Sequence, residues 1–310
     1  MSGTFVIEPV ISLDYLEAMR FVAGGGRRDI ETAARAESLM ELARSRSPRA
    51  VQIWWARRQR RPVAAAMSVA NAGRCGTVVY SPLGGPAVDA EALGRVIHVT
   101  SAETVRGGLA FVQIMLDPSA AQDIRMVTAA GLEFLAELIY MRRDLGAGDD
   151  AIGADEGLWR WLSHGQFDDA SLGEVITATY KNSLDCPRLS GIRRMEDVLA
   201  SHRSGGVFRP ANWWLAMRDD RPGGCILAND YPLTGNTDVV YLGVTPEFRG
   251  QGLAATMLRR ACRFARWRGL SALTLAVDAA NAPAIRIYQS QGLRAVQRRV
   301  TYAMFEPVPP

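Results

Sequence analysis

Residues 239–254 read VVYLGVTPEFRGQGLA and join two kinds of secondary structure. The apolar run at the start, residues 239–244, predicts a short buried strand. The end of the stretch begins a helix that is predicted from about Leu253 to Trp267. Two glycines, Gly250 and Gly252, therefore lie where the strand passes into the helix.

This strand-to-helix turn has the chemistry of an anion-binding site. Glycine adopts left-handed backbone conformations and lets a ligand approach closely. The first amides of a helix have no partner within the helix and carry partial positive charge, which suits phosphate or pyrophosphate. Arg249 and the arginines of the helix would add charge for further phosphates. A plain helix entry with a solvated basic face explains the turn alone equally well.

A second segment extends the pattern. A strand predicted from Leu273 to Val277 is followed by DAANAPAIRIY, residues 278–288, and then by a glycine at Gly292. This segment follows the Arg-x-x-Gly-x-Ala motif that begins at Arg249. The order and separation of these motifs resemble the GNAT (GCN5-related N-acetyltransferase) superfamily, in detail from about residue 238 to residue 305.

The resemblance implies that acetyl-CoA is the co-substrate, and it implies which residues bind it. The backbone amides of the turn would bind the pyrophosphate. The end of the preceding strand would pair with the pantetheine arm and polarise the acetyl carbonyl. Asn281 would contact cofactor or substrate, or else simply cap a helix. The cofactor-binding residues predicted in this way are Leu242, Gly243, Val244, Arg249, Gly250, Gln251, Gly252, Leu253, Ala254 and Asn281.

Two side chains are candidates for the proton transfers of acetyl transfer. Tyr288 lies seven residues after Asn281, as in the GNAT pattern, and its phenol can protonate the departing thiolate. A half-buried aromatic on an amphipathic helix is the alternative. Asp238 begins the strand that reaches the cofactor, where it would act as the base through water. It can equally be a solvated carboxylate, and Asp230 and Asp185 are other possibilities.

The acceptor is expected at a polar loop, residues 180–188, which contains a proline turn. Asp185 in that loop would favour a cationic substrate if it faces the cleft. The composition of the loop is also that of an ordinary surface turn, so the loop by itself does not identify the amine.

The second half of the chain repeats the first. Val78-Val79-Tyr80 matches Val239-Val240-Tyr241 at a step of 161 residues, and the step is kept over the following motifs. The alternation of strands and helices makes each copy a mixed α/β (α+β) unit. A glycine- and acid-rich stretch, residues 145–157, is predicted as the linker, which gives domains of residues 1–146 and 147–310.

The first copy lacks the residues that suit a phosphate. Val88, Glu91 and Leu93 stand opposite the Arg-x-x-Gly-x-Ala motif, and the Glu91 carboxylate would repel a pyrophosphate. The arrangement resembles tandem GNAT proteins such as mycothiol synthase. This resemblance implies two tandem GNAT-like domains, each a mostly antiparallel central sheet flanked by helices, of which the first is degenerate and without cofactor.

Composition argues against several other classes of protein. No apolar run reaches the roughly 20 residues that span a membrane, and no signal segment is seen, so a cytoplasmic protein without membrane contact is expected. The four cysteines are scattered and the three histidines lie far apart, so no metal site is predicted. The net charge is +4, but no aromatic–basic pattern supports binding to nucleic acid.

The predicted function is that of an acetyl-CoA-dependent N-acetyltransferase that works by direct transfer in a ternary complex, without a covalent acyl-enzyme. The acceptor would be a primary amine of a small molecule or a peptide, and the protein would be a monomer or a homodimer. Acyl chains other than acetyl are not excluded by the sequence. A non-catalytic acyl-CoA sensor on the same fold is the alternative, although a sensor needs neither Tyr288 nor Asn281.

Overall fold

The computed structural model describes residues 4–47, 50–150 and 153–306. Within it the chain forms two compact units. The first unit consists of Met1–Leu135 together with Val300–Pro310, and the second consists of Ala136–Arg299. The two units are described separately below.

The first unit is a mixed sheet with helices on its faces. In chain order its elements are β1 (Val6–Pro9), α1 (Tyr15–Gly24), α2 (Ile30–Arg44), β2 (Val51–Arg58), β3 (Arg61–Asn71), β4 (Cys75–Tyr80), α3 (Ala90–Arg106), β5 (Phe111–Leu116), α4 (Ala121–Ala129) and the end of β12 (Arg294–Phe305). The strands β1 to β4 pair antiparallel in sequence order, β4 pairs parallel with β5, and β5 pairs antiparallel with residues 300–305 of β12.

The second unit repeats this plan. Its elements are β6 (Glu133–Asp144, from residue 136), β7 (Arg160–Ser163), α5 (Asp169–Tyr180), α6 (Met195–Ser204), β8 (Trp213–Arg218), β9 (Arg221–Tyr231), β10 (Asn236–Val244), α7 (Leu253–Trp267), β11 (Ala272–Asp278), α8 (Ala282–Ser290) and the start of β12. The strands β7 to β10 pair antiparallel in order, β10 pairs parallel with β11, and β11 pairs antiparallel with β6. The predicted fold class is confirmed in both units.

The internal repeat is present in the bounds of the elements. A step of 161 residues relates Ala121 at the start of α4 to Ala282 at the start of α8, and it relates Glu133 at the start of β6 to Arg294 at the start of β12. Each unit is completed by a strand segment that lies outside its own run of the chain. Residues 136–144 complete the second sheet and residues 300–305 complete the first, because pairing between strands outweighs their order along the chain.

Helix α7 packs through its apolar side on the sheet of the second unit. Leu253, Met257, Leu258 and Ala261 are buried among residues of β10 and β11, together with Trp214 on β8. The opposite face of this sheet is covered by α5 and α6, through Leu172, Ile176 and Leu199 among others. Burial of these apolar side chains stabilises the unit by roughly 25 cal/mol per Å² of apolar surface removed from water.

The predicted linker is an integral part of the second unit where the structure describes it. Asp155 pairs with Arg259, and the buried Glu156 pairs with Arg260 and with Arg263, whose Nη2 lies 2.5 Å from a Glu156 oxygen. These arginines of α7 therefore neutralise acidic side chains and are not the free phosphate ligands that the sequence suggested. A buried carboxylate needs such partners, because an unpaired charge inside a protein is costly.

Candidate active site

The site begins where β10 and β11 part. Their parallel pairing runs from Asn236↔Ala272 to Val239↔Leu275 and stops there, while β10 stays paired with β9 as far as Val244. A bulge between Val239 and Tyr241 marks the point of separation. Beyond it, no strand among the described residues lies beside one edge of β10, so this edge is open to an extended ligand.

The turn after β10 has the backbone conformation that its glycines predict. Gly250 has φ +75° and Gly252 has φ +81°, both in the left-handed region. A side chain built on either glycine would meet no atom within 4 Å, so the space in front of the turn is open. Gly252 is the N-cap of α7 and supplies no side chain to it. Within the described parts of the chain, the amides from Gly250 to Ala255 donate to no other protein group, as an anion site requires.

The side chain of Arg249 braces this turn. Its Nη2 donates to the Thr179 carbonyl at the end of α5 at 2.9 Å, and its Nε donates to the Val244 carbonyl at 3.2 Å. The guanidinium thus ties the turn to both walls of the opening. Both hydrogen bonds of the Arg249 side chain therefore hold the turn in place.

A cavity of about 600 Å³ extends from the turn along the free edge of β10 to α8. Most of the predicted cofactor-binding residues line it: Leu242, Gly243, Val244, Arg249, Gly250, Gly252, Leu253, Ala254 and Asn281. Gln251 lies outside the lining, because its side chain bonds to the Glu247 carbonyl and to Arg218. Tyr288 lines the cavity as well, so the predicted acid and the predicted cofactor residues share one space.

Tyr288 is buried, with 8% of its surface exposed, on the face of α8 that meets the cavity. Burial, and then the charge of Asp185, raises the pKa of its phenol above the ordinary value. The phenol is therefore fully protonated at neutral pH and can donate a proton. Asn281 is the N-cap of α8, and its Oδ1 accepts from the Ala284 amide at 3.3 Å. Asn281 is therefore a helix cap that also lines the cavity, and its contact with cofactor or substrate stays a prediction.

The carboxylates proposed as bases are in different surroundings. Asp238 lies outside the cavity lining, two residues before Val240, and accepts a hydrogen bond from Thr274 at 2.6 Å. Burial raises the pKa of Asp238. Asp230 is buried, and its carboxylate forms an ion pair with Arg268, which gives it a structural role. Asp185 lines the cavity directly.

The cavity is also lined by residues that the motifs did not indicate. The Thr179 hydroxyl lies 2.5 Å from the Tyr241 hydroxyl, and both residues line the cavity. A side chain on Gly243 would come within 2.6 Å of the Thr179 hydroxyl. Gly243 is thus required by the packing of α5 against β10 as well as by the opening beside the strand. No local sequence signal could have identified Thr179, because its contact partner is 62 residues away.

The equivalent turn in the first unit is closed by its own side chains. Asp89 is the N-cap of α3, and its Oδ1 accepts from the Ala92 amide at 3.0 Å. Its other oxygen lies 2.7 Å from Arg58. Glu91, the residue that the sequence pointed to, is exposed and pairs with Arg95 on the same helix. The carboxylate at the helix N-terminus is therefore that of Asp89.

Comparison with known proteins agrees with this geometry. The family model described as "Acetyltransferase (GNAT) family" matches residues 180–293, which contain the turn, the free edge of β10 and Tyr288. Residues 180–293 therefore form a GNAT domain. This domain and the mycothiol acetyltransferase relatives show an enzyme of the N-acetyltransferase class. Among the described residues, no group of three or more His, Cys, Asp or Glu is arranged to hold a metal, and no helix is long and apolar enough to span a membrane.

The similarity to other GNAT proteins extends over both units. A mycothiol acetyltransferase of Tsukamurella paurometabola is 28% identical over 254 residues, which cover 76% of this chain and 84% of that protein. A GNAT structure from Sphaerobacter thermophilus covers 98% of this chain and 96% of its own, with a TM-score of 0.61 and 18% identity. A tandem GNAT protein from the clavulanic acid biosynthesis pathway covers 99% and 100%, with a TM-score of 0.54 and 12% identity. The tandem arrangement predicted from the repeat, like that of mycothiol synthase, is confirmed.

Proposed function

We propose that this GNAT protein transfers an acetyl group from acetyl-CoA to a primary amine of a small molecule, by direct transfer in a ternary complex. The observation that carries the proposal is the single cavity that contains both the open amide turn at Gly252 and the buried phenol of Tyr288. One end suits a pyrophosphate, and the other holds a proton donor for a thiolate. A protein that only sensed acyl-CoA would need the first end alone.

The cofactor assignment rests on the unpaired backbone groups. The amides from Gly250 to Ala254 would hold the pyrophosphate, with Gln251 contributing its amide and not its side chain. The free edge of Leu242–Val244 would pair with the amides of the pantetheine arm. The acetyl carbonyl would then lie near the bulge of β10, where a backbone amide can stabilise the developing oxyanion.

Tyr288 is proposed as the acid that protonates the thiolate of CoA. The proton of the amine has two candidate acceptors, Asp238 and Asp185. Asp238 lies outside the cavity lining, so it would need a bridging water. Both carboxyl groups have pKa values raised by burial, which brings them closer to the basicity that proton abstraction at neutral pH requires.

Direct transfer is favoured over a covalent acyl-enzyme by the state of the cysteines. Cys225 and Cys262 are buried, and burial raises the pKa of the Cys225 thiol to about 12 and that of Cys262 to about 11. Burial also raises the pKa of Cys186 to about 12. The thiolate is the nucleophilic form, so none of these thiols is activated for attack.

The first half of the chain is proposed as a structural partner without cofactor. The Asp89 cap supports this, because its carboxylate already holds the amide position that a pyrophosphate would need. The mycothiol acetyltransferase relatives favour a small-molecule acceptor over a peptide. A domain division near residue 146, a cytoplasmic location and a monomeric or homodimeric state belong to the same proposal.

The test is an assay of CoA thiol release with acetyl-CoA and a panel of primary amines, run on the wild-type protein and on Tyr288→Phe. We expect at least one amine to be acetylated, with kcat lowered about 10²-fold or more in the variant and the Kd for acetyl-CoA unchanged. Equal loss of turnover and binding would remove the acid role of Tyr288. Binding of acetyl-CoA without turnover of any amine would favour the sensor.

A further inference from the structure

Asp185 occupies a place in the cavity that the motifs of the sequence do not explain. It lies in the loop between α5 and α6 and lines the same cavity as residues of α8. The corresponding loop of the first unit, between α1 and α2, has only five residues, 25–29, against fourteen here, residues 181–194. The extra length carries Asn182, Ser183 and Leu184 to the cavity as well.

A reciprocal pair of hydrogen bonds fixes the position of Asp185. The amide of Asp278, the last residue of β11, donates to the Asp185 Oδ1 at 3.3 Å. The amide of Cys186 donates in return to the Asp278 Oδ2 at 3.1 Å. Cys186 has φ +42°, a left-handed conformation that is unfavourable for a residue with a side chain. Such strain persists only where the surroundings hold it, which here keeps the carboxylate over the cavity.

Three tyrosines from three different elements line the same cavity as this carboxylate. The charge of Asp185 acts on Tyr180 of α5, on Tyr241 of β10 and on Tyr288 of α8, and in each case it contributes to a raised pKa. Within the described segments, no arginine, lysine or histidine forms an ion pair with Asp185. The cavity thus contains a carboxylate that shares its lining with three tyrosines and, among the described residues, has no cationic partner.

We propose that Asp185 binds the acceptor as a cationic amine and is the base that takes its proton. This inference rests on the proposed acetyltransferase function and specifies its acceptor. The carboxylate lies on the same cavity as Tyr288 and needs no bridging water, unlike Asp238. The three tyrosines of the cavity lining would add to the binding of the ammonium group, since aromatic faces attract cations.

The proton transfers of the reaction balance with these two residues. The acceptor ammonium gives one proton to the Asp185 carboxylate, and the freed lone pair forms the N–C bond to the acetyl carbonyl. The C–S bond breaks, its electron pair goes to sulfur, and Tyr288 protonates the thiolate. The Tyr288 phenolate then takes the second proton from the nitrogen, and Asp185 releases its proton to solvent when the amide leaves.

The pH dependence follows from the groups that face Asp185. Burial is the main reason for its raised pKa, and the charge of Asp278 adds to the shift. The other neighbours are Cys186 and the three tyrosines, whose raised pKa values keep them neutral below pH 8. Only ionised Asp185 can accept a proton, so kcat/KM should fall as the pH drops through the pKa of Asp185.

The experiment compares Asp185→Asn with Asp238→Asn on two kinds of acceptor. The asparagine oxygen can still accept from the Asp278 amide, so the loop should keep its position. The first kind comprises the cationic amines that the wild type accepts from a panel of polyamines, amino sugars and amino acid amides. The second kind is hydroxylamine, whose nitrogen is largely neutral at pH 7. Calorimetry with acetyl-CoA on all three proteins reports whether the cofactor site is intact.

We expect Asp185→Asn to lower kcat/KM for cationic amines about 10²-fold or more, to change the hydroxylamine rate little and to leave the Kd for acetyl-CoA unchanged. Asp278→Asn should move the acid limb of the pH profile to lower pH, because it removes the neighbouring charge. An equal loss for both acceptors, a large loss only in Asp238→Asn, or an unmoved acid limb would each overturn the assignment. Acetyl-CoA binding with no amine accepted would instead defeat the proposed function itself.

Discussion

The N-termini of α7 and α3 follow the same strand in two copies of one fold, and they differ in what stands before the first helical amides. Gly252 precedes α7, has φ +81° and provides no cap, so the amides face an open cavity. Asp89 precedes α3 and bonds to the Ala92 amide with its own carboxylate. The difference teaches that a helix N-terminus becomes a ligand site when the protein leaves it uncapped.

The two turns also differ in how they contact the end of the neighbouring helix. In the second unit the Arg249 side chain spans the distance from the turn to the end of α5. In the first unit the Ala87 amide bonds directly to the Gly25 carbonyl at the end of α1, at 3.1 Å. A side chain on Gly85 would lie 2.7 Å from that same carbonyl oxygen. The backbone of residues 85–87 therefore contacts the backbone at Gly25, which leaves no space for a pantetheine arm in the first unit.

The largest effect is expected from placing a carboxylate at the turn of the second unit, as the turn of the first unit already has one. Gly252→Glu places a non-glycine residue at a positive φ and aims a negative charge at the bound pyrophosphate. We expect the single acetyl-CoA site seen by calorimetry to weaken about 10²-fold or more, since a like charge and backbone strain of about 1–2 kcal/mol act together.

Gly84→Glu is the matched control. It makes the same substitution on the corresponding loop of the first unit, where a side chain meets no atom within 4 Å and φ is not positive. Binding should be unchanged. Loss of binding in the control, or two sites in the wild type, would show that the first unit also takes the cofactor.

An intermediate effect is expected from Arg249→Ala. The substitution removes two charge-assisted hydrogen bonds that hold the turn to Thr179 and Val244. The Kd for acetyl-CoA should rise about tenfold, since the amides lose their fixed position without losing their chemistry. Arg221→Ala serves as the control, because it removes a cation paired with Glu247 beside the same turn without touching these carbonyls. Equal losses in the two variants would assign the effect to charge and not to bracing.

The smallest effect is expected in the first unit, from Asp89→Ala. Loss of the cap should lower the free energy of unfolding by about 1 kcal/mol, with acetyl-CoA binding unaffected. The Ala92 amide, followed by the Arg58 side chain, holds the pKa of Asp89 below its ordinary value near 3.8. Because the pKa of Asp89 is lower in the folded state, its ionised form stabilises the protein at pH values above the pKa that Asp89 has in the unfolded state. This stabilisation is lost as the pH falls through the pKa that Asp89 has in the folded state.

The difference in unfolding free energy between wild type and Asp89→Ala should therefore be full at pH 7 and shrink below pH 4. Denaturant titrations at several pH values measure it. Glu91→Ala, which removes only an exposed pair with Arg95, should have an effect of a few tenths of a kcal/mol at any pH. A larger effect for Glu91 than for Asp89 would reverse the assignment of the cap.

Much of the fold could be read from local patterns. The helix predicted from Leu253 to Trp267 has those bounds, and the strand predicted from Leu273 to Val277 lies within β11. The step of 161 residues predicted the repeat, which relates the start of α4 to that of α8 and the start of β6 to that of β12. These features were predictable because strand and helix periodicity and glycine chemistry act over a few residues.

Other features depended on contacts that no local pattern encodes. The acidic stretch after residue 145 resembled a linker, yet Glu156 is buried against arginines more than a hundred positions away. The sequence also predicts phosphate contacts for the arginines of α7, because their acidic partners lie more than a hundred positions away in the chain. Glu91 was identified by alignment of the two copies, whereas the nearby Asp89 has the geometry of the cap.

By itself, the sequence of this GNAT protein determined the uncapped turn, the position of Tyr288 after Asn281 and the doubling of the fold. Each depends on residues close together in the chain. Only the tertiary structure decided that Asp185 lies beside the same cavity as Tyr288, and that residues 136–144 complete the second sheet. Those arrangements join segments 93 or more positions apart, and the packing of the whole unit, not the neighbouring residues, selects them.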